Sequence, residues 1–114
     1  MPADNKHLHH VVPLVDIYKT NEGVIVYIDL PGVKKDQIKL NIEGNRLQLV
    51  CEKPDERPNL SKGFFHLMER EYGFFRRELV LPSGLQPEKA EAKMDDGVLM
   101  VRIPWDFTDR KNKA

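Results

Sequence analysis

Apolar and polar residues alternate with a period of two along most of this chain, in short runs broken by turn residues. Ile38-Lys39-Leu40-Asn41-Ile42-Glu43 puts Ile38, Leu40 and Ile42 on one side and Lys39 and Asn41 on the other. After Gly44-Asn45, the segment Arg46-Leu47-Gln48-Leu49-Val50-Cys51-Glu52 alternates again, so the two segments predict a hairpin. Val15 and Ile17 alternate against Asp16 and Tyr18, and a turn at Asn21-Glu22-Gly23 follows. The run Val24-Ile25-Val26-Tyr27-Ile28-Asp29-Leu30 is rich in β-branched and aromatic residues, and Pro31-Gly32 ends it. Further on, Tyr72 to Leu81 predicts a long strand closed by Pro82, and Pro87 begins another that runs to Met94. Asp95-Asp96-Gly97 turns the chain into a last strand, Val98 to Ile103, stopped by Pro104. Between these lies a polar loop at 53–63 with two prolines, expected to be mobile, and then a short strand-like piece, Phe65-His66-Leu67-Met68. Helical spacing is poor throughout. Seven or eight short strands at turn spacings of roughly 8–12 residues predict an all-β fold, an antiparallel β-sandwich.

Composition removes several function classes. A chain of 114 residues fits one domain and can bury a core without disulfide or metal staples. Lysine plus arginine equals aspartate plus glutamate, 18 against 18, so no electrostatic footprint for nucleic acid or a membrane surface is expected. No apolar run is long enough to span a bilayer, and Met1-Pro2-Ala3-Asp4-Asn5-Lys6 lacks the apolar centre of a secretory signal. The single cysteine cannot close an internal disulfide, which fits a reducing compartment; the expected localisation is cytoplasmic. Cys51 shares a face with Leu47 and Leu49 and has no nearby cation to depress its pKa, so it reads as a small buried hydrophobe and not as a reactive thiol. His7, His9 and His10 have ligand-like spacing, but no carboxylate or cysteine ligand accompanies them, and no metal is expected. The remaining histidine, His66, has no evident serine partner, and the glycines form no phosphate loop. No catalytic residue, no cofactor and no enzymatic activity are expected.

Three pieces in order carry a more specific signal: Leu30-Pro31-Gly32-Val33, the stretch from Glu69 through Tyr72-Gly73-Phe74-Phe75-Arg76-Arg77 to Pro82, and Asp96-Gly97-Val98-Leu99. Together they resemble the α-crystallin domain of the small heat-shock proteins. Phe65-His66-Leu67-Met68-Glu69-Arg70 is similar to the aromatic-His-x-x-Glu-Arg segment of the bacterial and plant branch of that family. The resemblance implies an immunoglobulin-like sandwich with a protruding loop strand, in a domain over 14–104. A short N-terminal arm (1–13) precedes it, and a short charged extension (105–114) follows.

For function, the resemblance implies an ATP-independent holdase that covers exposed apolar segments of unfolding proteins. The alternative is a truncated interaction or co-chaperone subunit that docks on one partner or a longer paralogue. Phe65, His66, Leu67, Met68 and Glu69 are the implied strand-exchange segment of a homodimer, with an internal edge strand as the other reading. Arg77 is the implied dimer-contact arginine, on the same side as Phe75, Leu79 and Leu81; packing on its own domain remains the alternative. Ile38, Leu40 and Ile42, with Ala90, Ala92 and Met94, are the implied groove for a client's or partner's apolar segment, and Ala90 should leave that pocket wide. Trp105 and Phe107 stand two apart where an aliphatic pair would mediate shell assembly, so a small assembly is expected, with Trp105 and Phe107 either imitating that pair or packing locally.

Overall fold

A computed structural model of the chain describes residues 10–53 and 63–108, with backbone alone for His10 and Val11. Among the described residues eight strands form: β1 (His10–Val11), β2 (Val15–Lys19), β3 (Gly23–Asp29), β4 (Ile38–Glu43), β5 (Arg46–Lys53), β6 (Gly73–Val80), β7 (Glu91–Asp95) and β8 (Val98–Pro104). They make two four-stranded sheets, ordered β1-β6-β5-β4 and β2-β3-β8-β7. Every ladder is antiparallel except β1–β6, which pairs His10 with Phe74 and Val11 with Phe75 in parallel.

The period-two pattern decides which side chains face inward. On β3, Val24, Val26 and Ile28 are fully buried; on β5, Leu47, Leu49 and Cys51 are buried; on β8, Leu99, Val101 and Ile103 are buried. Phe75 and Leu79 of β6 and the flanking Leu30, Val33 and Leu81 complete the core. Each such aliphatic side chain contributes about 1.5–3 kcal/mol by leaving water. These residues lie mostly on the central strands, which have a neighbour on both sides.

The turns explain why the sequence signals fall where they do. Asp95 pairs with Val98 across Asp96-Gly97, and both turn residues have positive φ (50° and 78°), the backbone of a tight hairpin that matches strand twist. Gly44 opens the β4–β5 turn with φ 60°, and Glu43 pairs with Arg46 across it. The Leu30 backbone N–H donates to the Gly97 carbonyl at 2.7 Å, so two of the motifs separated in sequence are in contact.

Two local expectations need correction. The strand expected to begin at Pro87 begins at Glu91, because Pro87–Lys89 form a 3-10 turn closed by the Ala90 N–H on the Pro87 carbonyl at 3.1 Å. Proline's fixed φ suits the first position of a helical turn, and its missing N–H costs nothing there. A second 3-10 turn, Lys35–Gln37, occupies the connector before β4. Residues 65–68 have no strand within the chain, since no ladder reaches them.

At one end of the sandwich, Trp105 is tied into the domain. Its backbone N–H donates to the Glu22 carbonyl (3.0 Å) and its indole Nε1 to the Thr20 carbonyl (2.9 Å). Gln86 Nε2 donates to the Trp105 carbonyl at 2.8 Å, and Asp106 N–H to the Gly84 carbonyl at 2.7 Å. Trp105 therefore packs locally, whereas Phe107 is exposed. His7, His9, the segment 54–62 and the tail 109–114 lie outside the described residues.

Candidate interaction surfaces

The open edges of the two sheets create the cleft. Among the described residues, β4 ends one sheet and β7 ends the other, so each has a ladder on one side only. Their inward side chains are consequently half-covered: Ile38, Leu40, Ile42 and Met94 pack on the core without being enclosed by it. Leu40 pairs in register with Leu49, which is fully buried, so one strand's displacement separates groove from core. A cleft of about 180 Å³ runs between Ile38 and Leu40 on one wall and Ala92 and Met94 on the other, with Leu99 beneath and Lys35 and Lys93 along it. Four of the six groove residues read from the sequence are thus brought together. Ile42 and Ala90 are half-buried and do not line this cleft.

Arg77 sits on the inward side of β6, in register with Leu49 and between Phe75 and Leu79. A guanidinium there needs a partner. It is half-buried, and Nη1 donates to the Pro13 carbonyl of its own chain at 3.1 Å. β1 lies against the same strand, at Phe74 and Phe75.

Phe65, His66, Leu67, Met68 and Glu69 are all exposed, as is Phe64, at 95 %. Nearby, the Arg70 guanidinium lies 5.7 Å from the centroid of the Tyr72 ring.

The edge of β2 was not singled out from the sequence. Among the described residues β2 pairs only with β3, and a shallow cavity of about 450 Å³ lies among Asp16, Ile17, Tyr18 and Tyr27. Ile17, Tyr18 and Tyr27 are all exposed. The available signal was Tyr18, a large aromatic residue on the polar side of a short alternating run.

Among the described residues, two titrating groups have shifted equilibria. Burial pushes the Cys51 thiol up to about 11, in keeping with an inert core residue. The Gln48 amide, donating at 2.9 Å, holds the Glu78 carboxyl below its usual value, helped by Arg46 at 3.3 Å. Glu78 is on the outer face of the β4-β5-β6 sheet and away from the cleft. Among the described residues, no group of three or more His, Cys, Asp or Glu side chains converges as a metal site, and no helix is long and apolar enough to cross a membrane.

Known proteins with this architecture share the chain's sequence as well. The 18 kDa antigen 1 of Mycobacterium avium is 37% identical over 103 residues, covering 90% of this chain and 67% of that protein. The 22.7 kDa class IV heat shock protein of Pisum sativum is 36% identical over 89 residues, covering 78% of this chain and 45% of that one. This chain thus spans between about half and two thirds of the length of these relatives. Among solved structures, heat shock protein 16.0 from Schizosaccharomyces pombe superposes with a TM-score of 0.77 at 30% identity, covering 83% of this chain and 87% of that one. The hspA protein of Xanthomonas axonopodis gives 0.72 at 33% identity, covering 82% and 93%. The sequence profile of the Hsp20/alpha crystallin family matches residues 16–114, and with the sandwich and these relatives it establishes that the chain belongs to that family, the small heat-shock proteins.

Proposed function

We propose that this chain is a holdase that captures extended apolar segments of unfolding proteins in the β4–β7 cleft, without ATP, in keeping with a family known for ATP-independent chaperones. The observation that carries the reading is the half-covered inner face of the two end strands, where Ile38, Leu40 and Met94 border open space. An extended segment adds backbone hydrogen bonds to an unpaired strand edge while alternate side chains fill the cleft.

In the same reading the working unit is a homodimer. The exposed segment 65–69 of one protomer lies along the β2 edge of its partner, where Ile17, Tyr18 and Tyr27 offer an apolar seat. A short apolar strand is marginal alone and gains hydrogen bonds by completing another sheet. Arg77 then stands near the two-fold region, anchored in its own chain by Pro13. The expected compartment is cytoplasmic.

Light scattering of a heat-labile client tests the holdase reading. Suppression at near-stoichiometric chaperone, lost in Leu40→Ser, supports it. No suppression, together with one tight partner in a pull-down, overturns it in favour of a dedicated interaction subunit or a companion of a longer paralogue.

A further inference from the structure

We infer that the outer face of the β2-β3-β8-β7 sheet docks an amphipathic helix of another polypeptide, about three turns long, with lysines or arginines along one side of its apolar stripe. This surface is separate from the β4–β7 cleft, and the inference stands whether or not that cleft takes clients.

The composition of the two central strands asks for a cover. β3 and β8 are apolar at nearly every position, which is the pattern of strands buried on both faces. Among the described residues only one face of each is covered. Val24, Val26 and Ile28 of β3 and Leu99, Val101 and Ile103 of β8 enter the core, while the alternate Ile25, Tyr27, Val98 and Met100 face outward. The outward positions of β4 and β5 are polar by comparison: Lys39, Asn41 and Glu43, then Arg46, Gln48 and Glu52. Register makes the outward apolar residues contiguous, with Tyr18 beside Ile25, Tyr27 beside Met100, and Val98 two residues along β8. At ~4.8 Å between strands and ~3.4 Å per residue, the stripe from Tyr18 to Val98 is roughly 17 Å long. A helix covers that length with about eleven residues. Segments 1–9, 54–62 and 109–114 hold Met1, Leu8 and Leu60 as their only large apolar side chains, too few to bury the stripe.

Backbone pairing and charge choose the occupant. β3 and β8 each have a neighbour on both sides, so their peptide groups are already paired. An occupant of this face gains no backbone hydrogen bonds from it and must satisfy its own, which a helix does and a lone extended segment does not. A second copy of the sheet would meet like charge, because the face carries Asp16, Asp29, Glu91 and Asp95 against Lys93 and Arg102. Asp16 and Asp29 border the stripe on the β2 side, in register with Tyr27 and Val98, and neither forms an ion pair among the described residues. At the Ile25 end, a depression of about 640 Å³ opens between the β2–β3 turn and the 3-10 turn at 87–89. There Glu22, Glu88 and Glu91 outnumber Lys89 and Arg102, so a long cationic side chain has both room and charge.

The test uses the full chain and two labelled helix-stapled peptides of about four turns with the same leucine stripe, one with lysines and one with glutamates along one flank, read by fluorescence anisotropy. At low ionic strength the lysine peptide binds about tenfold tighter, and high salt removes the difference. Asp16→Lys/Asp29→Lys, at two exposed positions, inverts the preference. Ile25→Thr/Met100→Thr weakens both peptides while circular dichroism shows a folded protein, and Leu40→Ser, in the cleft, leaves both unchanged. No binding of the lysine peptide, or equal binding of the two, overturns the inference. Loss of binding in Leu40→Ser also overturns it, by moving the peptide to the cleft. A lysine peptide with a central proline, which breaks the helix, should bind weakly; equal affinity would exclude a helix as the occupant. A wild-type sedimentation mass above that of Ile25→Thr/Met100→Thr, with no peptide bound, would make the occupant a second copy of this chain and overturn the inference in that way.

Discussion

Leu40 and Leu49 face each other across the β4–β5 ladder, on the same side of the same sheet, and only one of them is enclosed. This pair separates a groove residue from a core residue within one hairpin. Cutting a fully buried leucine to alanine costs about 2–5 kcal/mol, because transfer energy is lost and a cavity remains. Leu49→Ala should fall in that range. Leu40 has surrendered only part of its apolar surface to the core, so losing it forfeits roughly half of the ~2 kcal/mol that full burial of such a side chain contributes. No cavity term follows, since the cleft is already open to water, and a serine hydroxyl there keeps its hydrogen bonds to solvent.

The expected cost of Leu40→Ser is therefore about 1 kcal/mol, a shift of roughly 4–8 °C in thermal midpoint for a domain of this size. Leu49→Ala should shift it at least twice as far. Thermal unfolding by circular dichroism gives both numbers, and anisotropy of a labelled extended apolar peptide and client light scattering on the same samples give the functional half. Leu40→Ser should lose most of its binding at temperatures where it is fully folded, and Leu49→Ala should retain binding as long as it is folded. If Leu40→Ser melts as low as Leu49→Ala, Leu40 belongs to the closed core and client capture must reside elsewhere, with Phe64 and Phe65 the next surface to test.

Deleting Phe65 through Met68 should give monomers at micromolar concentration by analytical ultracentrifugation; an intact dimer would exclude strand exchange. Arg77→Ala removes a charged hydrogen bond to the Pro13 carbonyl, so unfolding should be easier by about 1.5–3 kcal/mol, and the dimer should weaken as well; a dimer constant unmoved by the substitution confines Arg77 to its own domain. Trp105→Phe deletes the indole bond to the Thr20 carbonyl and should cost about 1 kcal/mol in chemical denaturation, with no change in oligomer size; a change in size would make Trp105 an assembly residue. Cys51 has a thiol raised from 9.0 to about 11, so the unfolded chain releases this proton first as pH rises: its stabilising contribution is whole below pH 9 and is lost between pH 9 and about 11. Denaturant titrations of wild type and Cys51→Ala across that window should diverge, and a parallel course would show that the thiol is not buried.

Much of the fold was legible because alternation is a local property. The strands β4 and β5 announced their inward side by every second residue, whereas β3 and β8 are apolar along almost their whole length and announced a strand without its facing; the turns at Gly44 and Asp96-Gly97 carried the residues that positive φ demands. What escaped was set by partners distant in sequence. β1 is two residues long and exists only because β6 offers an edge to it, so nothing in His10 or Val11 themselves reads as a strand. The 3-10 turn at 87–89 was hidden by reading Pro87 as a strand start, although proline suits a helical first turn equally well. Degrees of burial were also beyond the pattern: Leu40 and Leu49 have the same local alternation, and only the order of strands in the sheet makes one a wall and the other core.

That order also bears on how a protein with apolar, open edges avoids pairing with itself. Among the described residues β2, β4 and β7 each have an unpaired edge, the kind of template on which chains aggregate. All three are short, at five, six and five residues. Their outer faces carry charge: Lys39 and Glu43 on β4, and Glu91, Lys93 and Asp95 on β7. A second β7 laid antiparallel along the first, with Lys93 opposite Lys93, would bring like charges together at the centre of the pairing. An incoming segment avoids this only if its own outward residues are uncharged or acidic opposite Lys93, while its inward residues fill the recess at Ala92. Lys93→Gln, which removes that central like-charge pair, should therefore raise the propensity to self-associate at high concentration. Concentration-dependent light scattering of Lys93→Gln identical to wild type would refute this account of the edge.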